Sequence, residues 1–229
     1  MVDLSEFEKK IGYDFADKRL LESAFTHRSY LNENRSPGKE HNERLEFLGD
    51  AVLELVVTEF LFSKYPDKPE GDLTAFRAAL VNTISISDAA TKLGMNEYLL
   101  LSRGESKDTG RARQIILANA FEALIGALFL DRGYQVAKEF IASQLFHKTD
   151  EVVEKRLWQD AKSKFQEIAQ DIVGVTPRYE IVSQSGPDHD KTFVTGVYLG
   201  GDRVATGEGR SKQEAEQAAA EAALAVKGW

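Results

Sequence analysis

The sequence predicts two folds in one chain: an all-helical N-terminal domain over residues 1–147, a linker over 148–157, and a small α+β domain over 158–229. Three observations predict this. Apolar residues recur every three to four positions through the first part of the chain, the spacing of one helix face. Beyond residue 177 the period drops toward two, and Val, Ile, Tyr, Phe and Thr become frequent, which marks strands. The length of 229 residues suits one or two domains, and 42% hydrophobic residues supply core material for each.

The helical runs fall at 7–11, 20–25, 45–62, 73–86, 115–129 and 136–145. Breakers separate them: Ser36-Pro37-Gly38, the stretch from Tyr65-Pro66 to Pro69-Glu70-Gly71, Leu93-Gly94, Gly104 to Gly110, and Arg132-Gly133. Residues 147–160 are charged and weakly periodic, and read as a helix end plus linker. The second domain opens with an amphipathic helix over 161–172. Strands are expected over 178–184, 192–199 and 203–208, with Gly200-Gly201-Asp202 as a tight turn. Ser211 then opens a helix to about residue 226, and Ser211 with Glu214 forms a capping box. The order α-β-β-β-α implies a three-stranded antiparallel sheet with two helices on one face.

Composition narrows the function. No run approaches the roughly 18 uncharged residues of a membrane span, with Glu54 and Glu59 interrupting the apolar stretch of 45–62, so no membrane partner is expected. The first residues, MVDLSEFEKK, lack a secretory pattern. Cysteine is absent, which removes disulfides, thiolate metal sites and a cysteine nucleophile, and suits a cytoplasmic location. The net charge of −8 argues against nucleic acid when taken alone. Residues 158–229 carry 8 Lys/Arg against 11 Asp/Glu, so any nucleic-acid surface must be a local patch.

The most informative residues are acids inside apolar helices. Glu43, Glu46 and Asp50 recur at i, i+3 and i+7 and share a helix face beside Leu45, Phe47, Leu48, Val52 and Leu53. Asn119 and Glu122 sit at i, i+3 in an almost wholly apolar run. Like charges one turn apart repel, and burying an unpartnered carboxylate is costly. Two such helices facing each other would gather three carboxylates and an amide around one point. Such an oxygen-only donor set suits Mg²⁺, with Mn²⁺ able to substitute, and points to phosphodiester hydrolysis. The plainer reading is a solvated face salt-bridged to Arg44 or Arg77. Glu122, with no polar company in sequence, favours the metal.

The run Glu43-Arg44-Leu45-Glu46-Phe47-Leu48-Gly49-Asp50 resembles the signature of bacterial ribonuclease III. The resemblance extends to Phe25-Thr26-His27-Arg28-Ser29, Glu70-Gly71-Asp72-Leu73, Gly104-Glu105 and Leu117-Ala118. The C-terminal unit, ending in Gly207-Glu208-Gly209-Arg210-Ser211-Lys212 and the helix after it, resembles a double-stranded-RNA-binding domain. The resemblance implies that the helical domain is a nuclease and that Glu46, Asp50 and Glu122 are its catalytic acids. They hold the metal together with position 119, and Glu43, Glu70 and Glu105 are secondary acids near the site. It also implies a homodimer through the nuclease domain, with the signature helices at the interface. Each subunit's site cuts one strand of an RNA duplex, leaving a 5′-phosphate and a short 3′ overhang. Precursor ribosomal RNA and structured messenger RNA are the implied substrates.

One departure stands out. The family has aspartate where this chain has Asn119. Asparagine keeps a carbonyl donor but loses a charge and cannot act as a base. Weaker Mg²⁺ binding and slower cleavage should follow. An engineered lesion that traps an uncut complex or a metal-poor state and natural variation in a slow or purely RNA-binding homologue both account for it; the intact Glu46, Asp50 and Glu122 favour the former.

Duplex RNA is read by shape, through two minor grooves and the phosphates between them. Three contact points are available. Ser163, Gln166, Glu167 and Gln170 share one face of the first helix; His189 lies in the loop between strands one and two; Arg210, Ser211 and Lys212 open the last helix. Gln213 stands where relatives often have a second lysine, so the phosphate patch is thin. The basic loop of Arg103, Lys107, Arg111 and Arg113 reads equally as a phosphate contact or a solvated loop, and His27 and Arg28 read as structural. The competing functions are a non-cleaving duplex-RNA binder and a helical dimerisation module whose acids are structural.

Overall fold

The computed structural model describes residues 3–34, 38–156, 158–187 and 191–229. It divides into two compact units, residues 1–158 and 159–229.

The first unit is helical, in the order α1 (Ser5–Ile11), α2 (Lys18–Phe25), α3 (Arg28–Glu33), α4 (Glu43–Lys64), α5 (Glu70–Val81), α6 (Thr83–Lys92), α7 (Arg111–Leu145) and α8 (Thr149–Glu154). Long α4 and α7 pack along each other at its centre. Leu53, Val56 and Leu61 of α4 and Phe121, Leu124 and Leu128 of α7 are wholly or almost wholly buried there. The expected run 73–86 is two helices, because Asn82 leaves helical geometry and its side chain caps α6 by accepting from Ser85 N at 2.9 Å. The expected break at Arg132-Gly133 is present: Gly133 leaves helical geometry at φ +81° and divides α7 into two helical segments across a kink. Short α3 has no apolar period to announce it, and it starts at a His27 cap.

The expected linker differs most. Residues 149–154 form α8, and Thr149 is fully buried. Val152, Val153 and Trp158 pack on the helical core, with the Trp158 ring edge-on to Phe76 at 5.1 Å. Charged residues on the outer side of α8 mask this apolar face in the sequence. One helical stretch, 111–154, is long and carries an apolar window. By length and composition alone it could cross a membrane, but 61% of its most apolar window is buried inside the protein.

The second unit runs α9 (Ala161–Val173), β1 (Arg178–Ser185), β2 (Thr192–Leu199), β3 (Asp202–Gly209) and α10 (Lys212–Lys227). The sheet is antiparallel, in the order β1-β2-β3. Tyr179 pairs with Val197, and Val197 with Ala205. Phe165 of α9 and Ala219, Ala220 and Ala223 of α10 bury against Val197. The alanine run is what lets α10 lie close. A Cβ on Gly207 would stand 2.0 Å from Ala219 N, so β3 needs glycine there.

Candidate active site and RNA-contact surface

The acids meet where α4 crosses α7, and glycines create the crossing. A Cβ on Gly49 would lie 1.7 Å from the Glu122 carbonyl oxygen, and one on Gly126 would lie 2.2 Å from the Leu45 carbonyl oxygen. Each helix thus presents a glycine to a backbone carbonyl of the other. Leu45 and Gly49 are one turn apart, as are Glu122 and Gly126, so the contact is reciprocal. Glu46 and Asp50 follow Leu45 and Gly49 directly, and Asn119 lies one turn before Glu122.

Electrostatics confirm that these groups sense each other. The Glu122 carboxyl is pushed up to about 7, first by burial and then by the charges of Asp50 and Glu46. Burial, Glu43 and Asp50 raise Glu46, while a hydrogen bond from the Asn119 side chain works against the rise. Among the described residues no lysine or arginine pairs with Glu46, Asp50 or Glu122. Arg77 is committed elsewhere, to Glu54 at 2.7 Å and the Thr58 hydroxyl at 2.9 Å, which removes it as the counter-ion of these acids.

The arrangement is looser than the sequence suggests. Among the described residues no three His, Asp or Glu side chains close around one point in a metal-binding cage. Glu43 turns aside to Arg28 at 3.3 Å and His41 at 3.8 Å. Glu105 sits in a 3₁₀ turn, where its charge and that of Glu43 act on His27. Burial holds the His27 imidazole below its usual value, and its Nδ1 caps α3, a structural role. Glu70 stands apart. At the start of α5 it accepts from the Thr74 hydroxyl at 3.0 Å and lines a groove with Thr58, Phe62, Leu73 and Arg77. Thr58 is roughly 12 Å along α4 from Asp50 at 1.5 Å per residue.

Arg113 belongs to the loop's own structure. It donates to the Glu105 carbonyl at 2.7 Å, the Asp108 carbonyl at 3.0 Å and Asn96 Oδ1 at 3.1 Å. Arg103, Lys107 and Arg111 stay exposed.

In the second unit Ser163, Gln166, Glu167 and Gln170 line one shallow groove with Asp171. Gln159 Nε2 donates to Glu167 at 2.5 Å, and the Ser163 hydroxyl donates to Asp160 at 2.7 Å. The Ser211 cap forms as expected, with Glu214 N donating to Ser211 Oγ at 3.1 Å, while the Glu214 carboxylate reaches one residue further back and accepts from Arg210 N at 2.9 Å. The side chains of Arg210 and Lys212 are exposed. His189 lies outside the described residues.

A helical unit with clustered acids at its central helix crossing, joined to a small α-β-β-β-α unit, defines the class: a nuclease-type domain carrying an RNA-binding domain. Residues 17–149 match the Ribonuclease-III-like family, and 161–227 match the double-stranded RNA binding motif. Ribonuclease 3 of Nitratiruptor sp. is 44% identical over 226 residues, spanning 99% of this chain and 97% of that one. Ribonuclease 3 of Geobacillus thermodenitrificans is 48% identical over 219 residues, spanning 96% and 89%. A solved nuclease domain of ribonuclease III from Campylobacter jejuni superposes with a TM-score of 0.55 at 41% identity, over 62% of this chain and 96% of that one. The chain belongs to the ribonuclease III family of endoribonucleases, with a double-stranded-RNA-binding domain.

Gly49 and Gly126 are the residues that sequence reasoning passed over. Their signal was present: glycine inside a helix costs about 1 kcal/mol relative to alanine, so its use there marks a close backbone approach.

Proposed function

We propose that this chain is a Mg²⁺-dependent endoribonuclease that cuts RNA duplexes as a homodimer, at a rate reduced by Asn119. The observation that carries the reading is Glu122: a half-buried carboxylate at a helix crossing, raised by burial and two neighbouring acids and without a paired lysine or arginine among the described residues. The donor set fits a hard divalent cation, since carboxylates and an amide carbonyl offer only oxygen. Glu46, Asp50, Asn119 and Glu122 would hold it, and Mn²⁺ suits the same donors. When bound, the cation supplies activation of water and neutralisation of charge at the phosphate. Glu46, Asp50 and Glu122 are the catalytic acids of this reading. Glu122 holds a proton near neutrality in the absence of metal. Asn119 keeps a carbonyl donor, and its side chain counters the rise of the Glu46 carboxyl. The products carry a 5′-phosphate and a short 3′ overhang.

Glu43 and Glu105 serve as outer acids around His27. Glu70 is the third secondary acid of this reading, and it lines the groove beside Thr58 and Arg77. Helix α4 leaves Phe47 81%, Leu55 57% and Phe62 72% exposed, at spacings of eight and seven residues along one side. A second copy covering this stripe gives a two-fold dimer with one site per strand. Its Campylobacter jejuni relative is described with a region involved in dimer formation. Ser163, Gln166, Glu167 and Gln170 face one minor groove, His189 a second, and Arg210, Ser211 and Lys212 the phosphates between. Precursor ribosomal RNA and structured messenger RNA in the cytoplasm are the substrates that family membership favours.

The second reading, a duplex-RNA binder that does not cut, is favoured only by Asn119. Cleavage of a labelled RNA duplex in Mg²⁺ separates the two, comparing the parent with N119D and E122Q. Reversion to aspartate should raise cleavage by orders of magnitude, and E122Q should abolish it. Binding without products in the parent and in N119D would leave the binder. Undiminished cleavage by E122Q would remove the site.

A further inference from the structure

The RNA-binding unit contains a polar clamp between its two helices. Asp160 caps α9: its Oδ1 accepts from Ser163 N at 2.9 Å and its Oδ2 from Ser163 Oγ at 2.7 Å. The same Oδ1 accepts a further bond from α10, where Gln217 Nε2 donates at 2.8 Å. The other end of that amide, Gln217 Oε1, accepts from Lys162 N at 3.2 Å. One side chain thus satisfies a backbone N–H in the first turn of α9, where helices leave such donors unpaired, and also binds the carboxylate that caps the helix. The neighbouring residue adds a second fastening. Glu216 Oε2 takes Lys162 Nζ at 2.6 Å, and that ammonium lies 4.9 Å over the Tyr179 ring. On the sheet side α10 is fixed as well, since Gly207 and Gly209 let its backbone touch β3.

The clamp fixes a distance. α9 carries Ser163, Gln166, Glu167 and Gln170, and α10 begins at Arg210, Ser211 and Lys212. An A-form duplex presents its minor groove and adjoining phosphates at a separation that B-form DNA does not share. We propose that Gln217, with Asp160, is a positioning residue for duplex recognition: its amide holds the two RNA-contacting helices at the A-form separation and so favours RNA over DNA duplexes. This rests on the reading that those two faces touch RNA. Gln217 itself needs no RNA contact, because Asp160 and Lys162 occupy its amide.

The test uses the full chain in EDTA, so that no cleavage intervenes. Gln217→Ala and Gln217→Met are compared with the parent for binding an RNA duplex and a DNA duplex of the same sequence. Thermal unfolding of each variant identifies a temperature at which it is folded. Gln217→Met preserves length and packing if the alanine variant is too unstable. If the matching separation falls to about one-tenth occupancy, apparent RNA affinity weakens about tenfold. DNA affinity, which never used that separation, stays the same. Unchanged RNA affinity in the folded variants overturns the proposal. So does an equal loss for RNA and DNA, and so does failure of both variants to fold, which would make the amide a stability element alone. Lys212→Ala tests the underlying reading separately. If it leaves RNA binding intact, the contact surface is wrong; if it weakens binding while the Gln217 variants do not, only the clamp fails.

Discussion

At residue scale, Glu122 sets stability against function. Its carboxyl lies at about 7, above an ordinary value of 4.5. Below pH 4.5 it is protonated whether the chain is folded or not, and folding carries no penalty. As pH rises through 7, the folded state must accept a charge it disfavours, and the advantage is lost. Metal-free protein should therefore lose stability between about pH 4.5 and 7. E122Q should lose less over that range and exceed the parent at pH 8 by about 2 kcal/mol, allowing for solvent screening. Urea midpoints in EDTA at pH 5 and 8 check this; a parent and variant with the same pH dependence would disprove it. The acids themselves were legible in the sequence, because carboxylates interrupting an apolar helix face stand out. The influence of the Asn119 side chain on Glu46 was not. It depends on the rotation of two helices about their axes, which the spacing within each leaves open.

At element scale, the crossing of α4 and α7 depends on two missing side chains. A Cβ at Gly126 meets a carbonyl of α4, a rigid group that cannot swing away. The helices must separate, which opens the core and draws Glu122 from Glu46 and Asp50. G126A should destabilise the nuclease unit by more than about 3 kcal/mol and abolish cleavage, while duplex-RNA binding by the second unit persists. Thermal unfolding with a parallel gel-shift assay reads both effects. A stable, active G126A would mean the helices tolerate a wider separation. The same scale explains what could be read beforehand. The long periodic runs of α4 and α7 and the three strands appear close to their expected bounds, because a buried face enforces its period. The split at Asn82, short α3 and helical 149–154 escaped, because a cap residue or a few buried side chains decide them.

At the scale of the whole molecule, charge and assembly decide how an acidic chain handles RNA. The exposed stripe on α4 predicts that F47E disperses the dimer, which sedimentation would report as a halved mass. RNA binding by a single chain should survive, since the RNA-contact residues lie in the other unit. A dimer that persists in F47E would place the interface elsewhere. With a net charge of −8, long-range attraction to RNA is absent, and affinity must come from few phosphate contacts. Lys162 is bound to Glu216 and Arg178 to Glu180, which leaves Arg210 and Lys212 as the exposed cations at the start of α10. Releasing counterions at about two phosphates gives a slope of log affinity against log salt near −2. A lysine added by Gln213→Lys should steepen that slope by about one unit and tighten binding most at low salt. Titrations of an uncut duplex at several salt concentrations measure both. A slope near −6 in the parent would mean that a second basic surface, such as the Arg103, Lys107 and Arg111 loop, engages the duplex alongside the first.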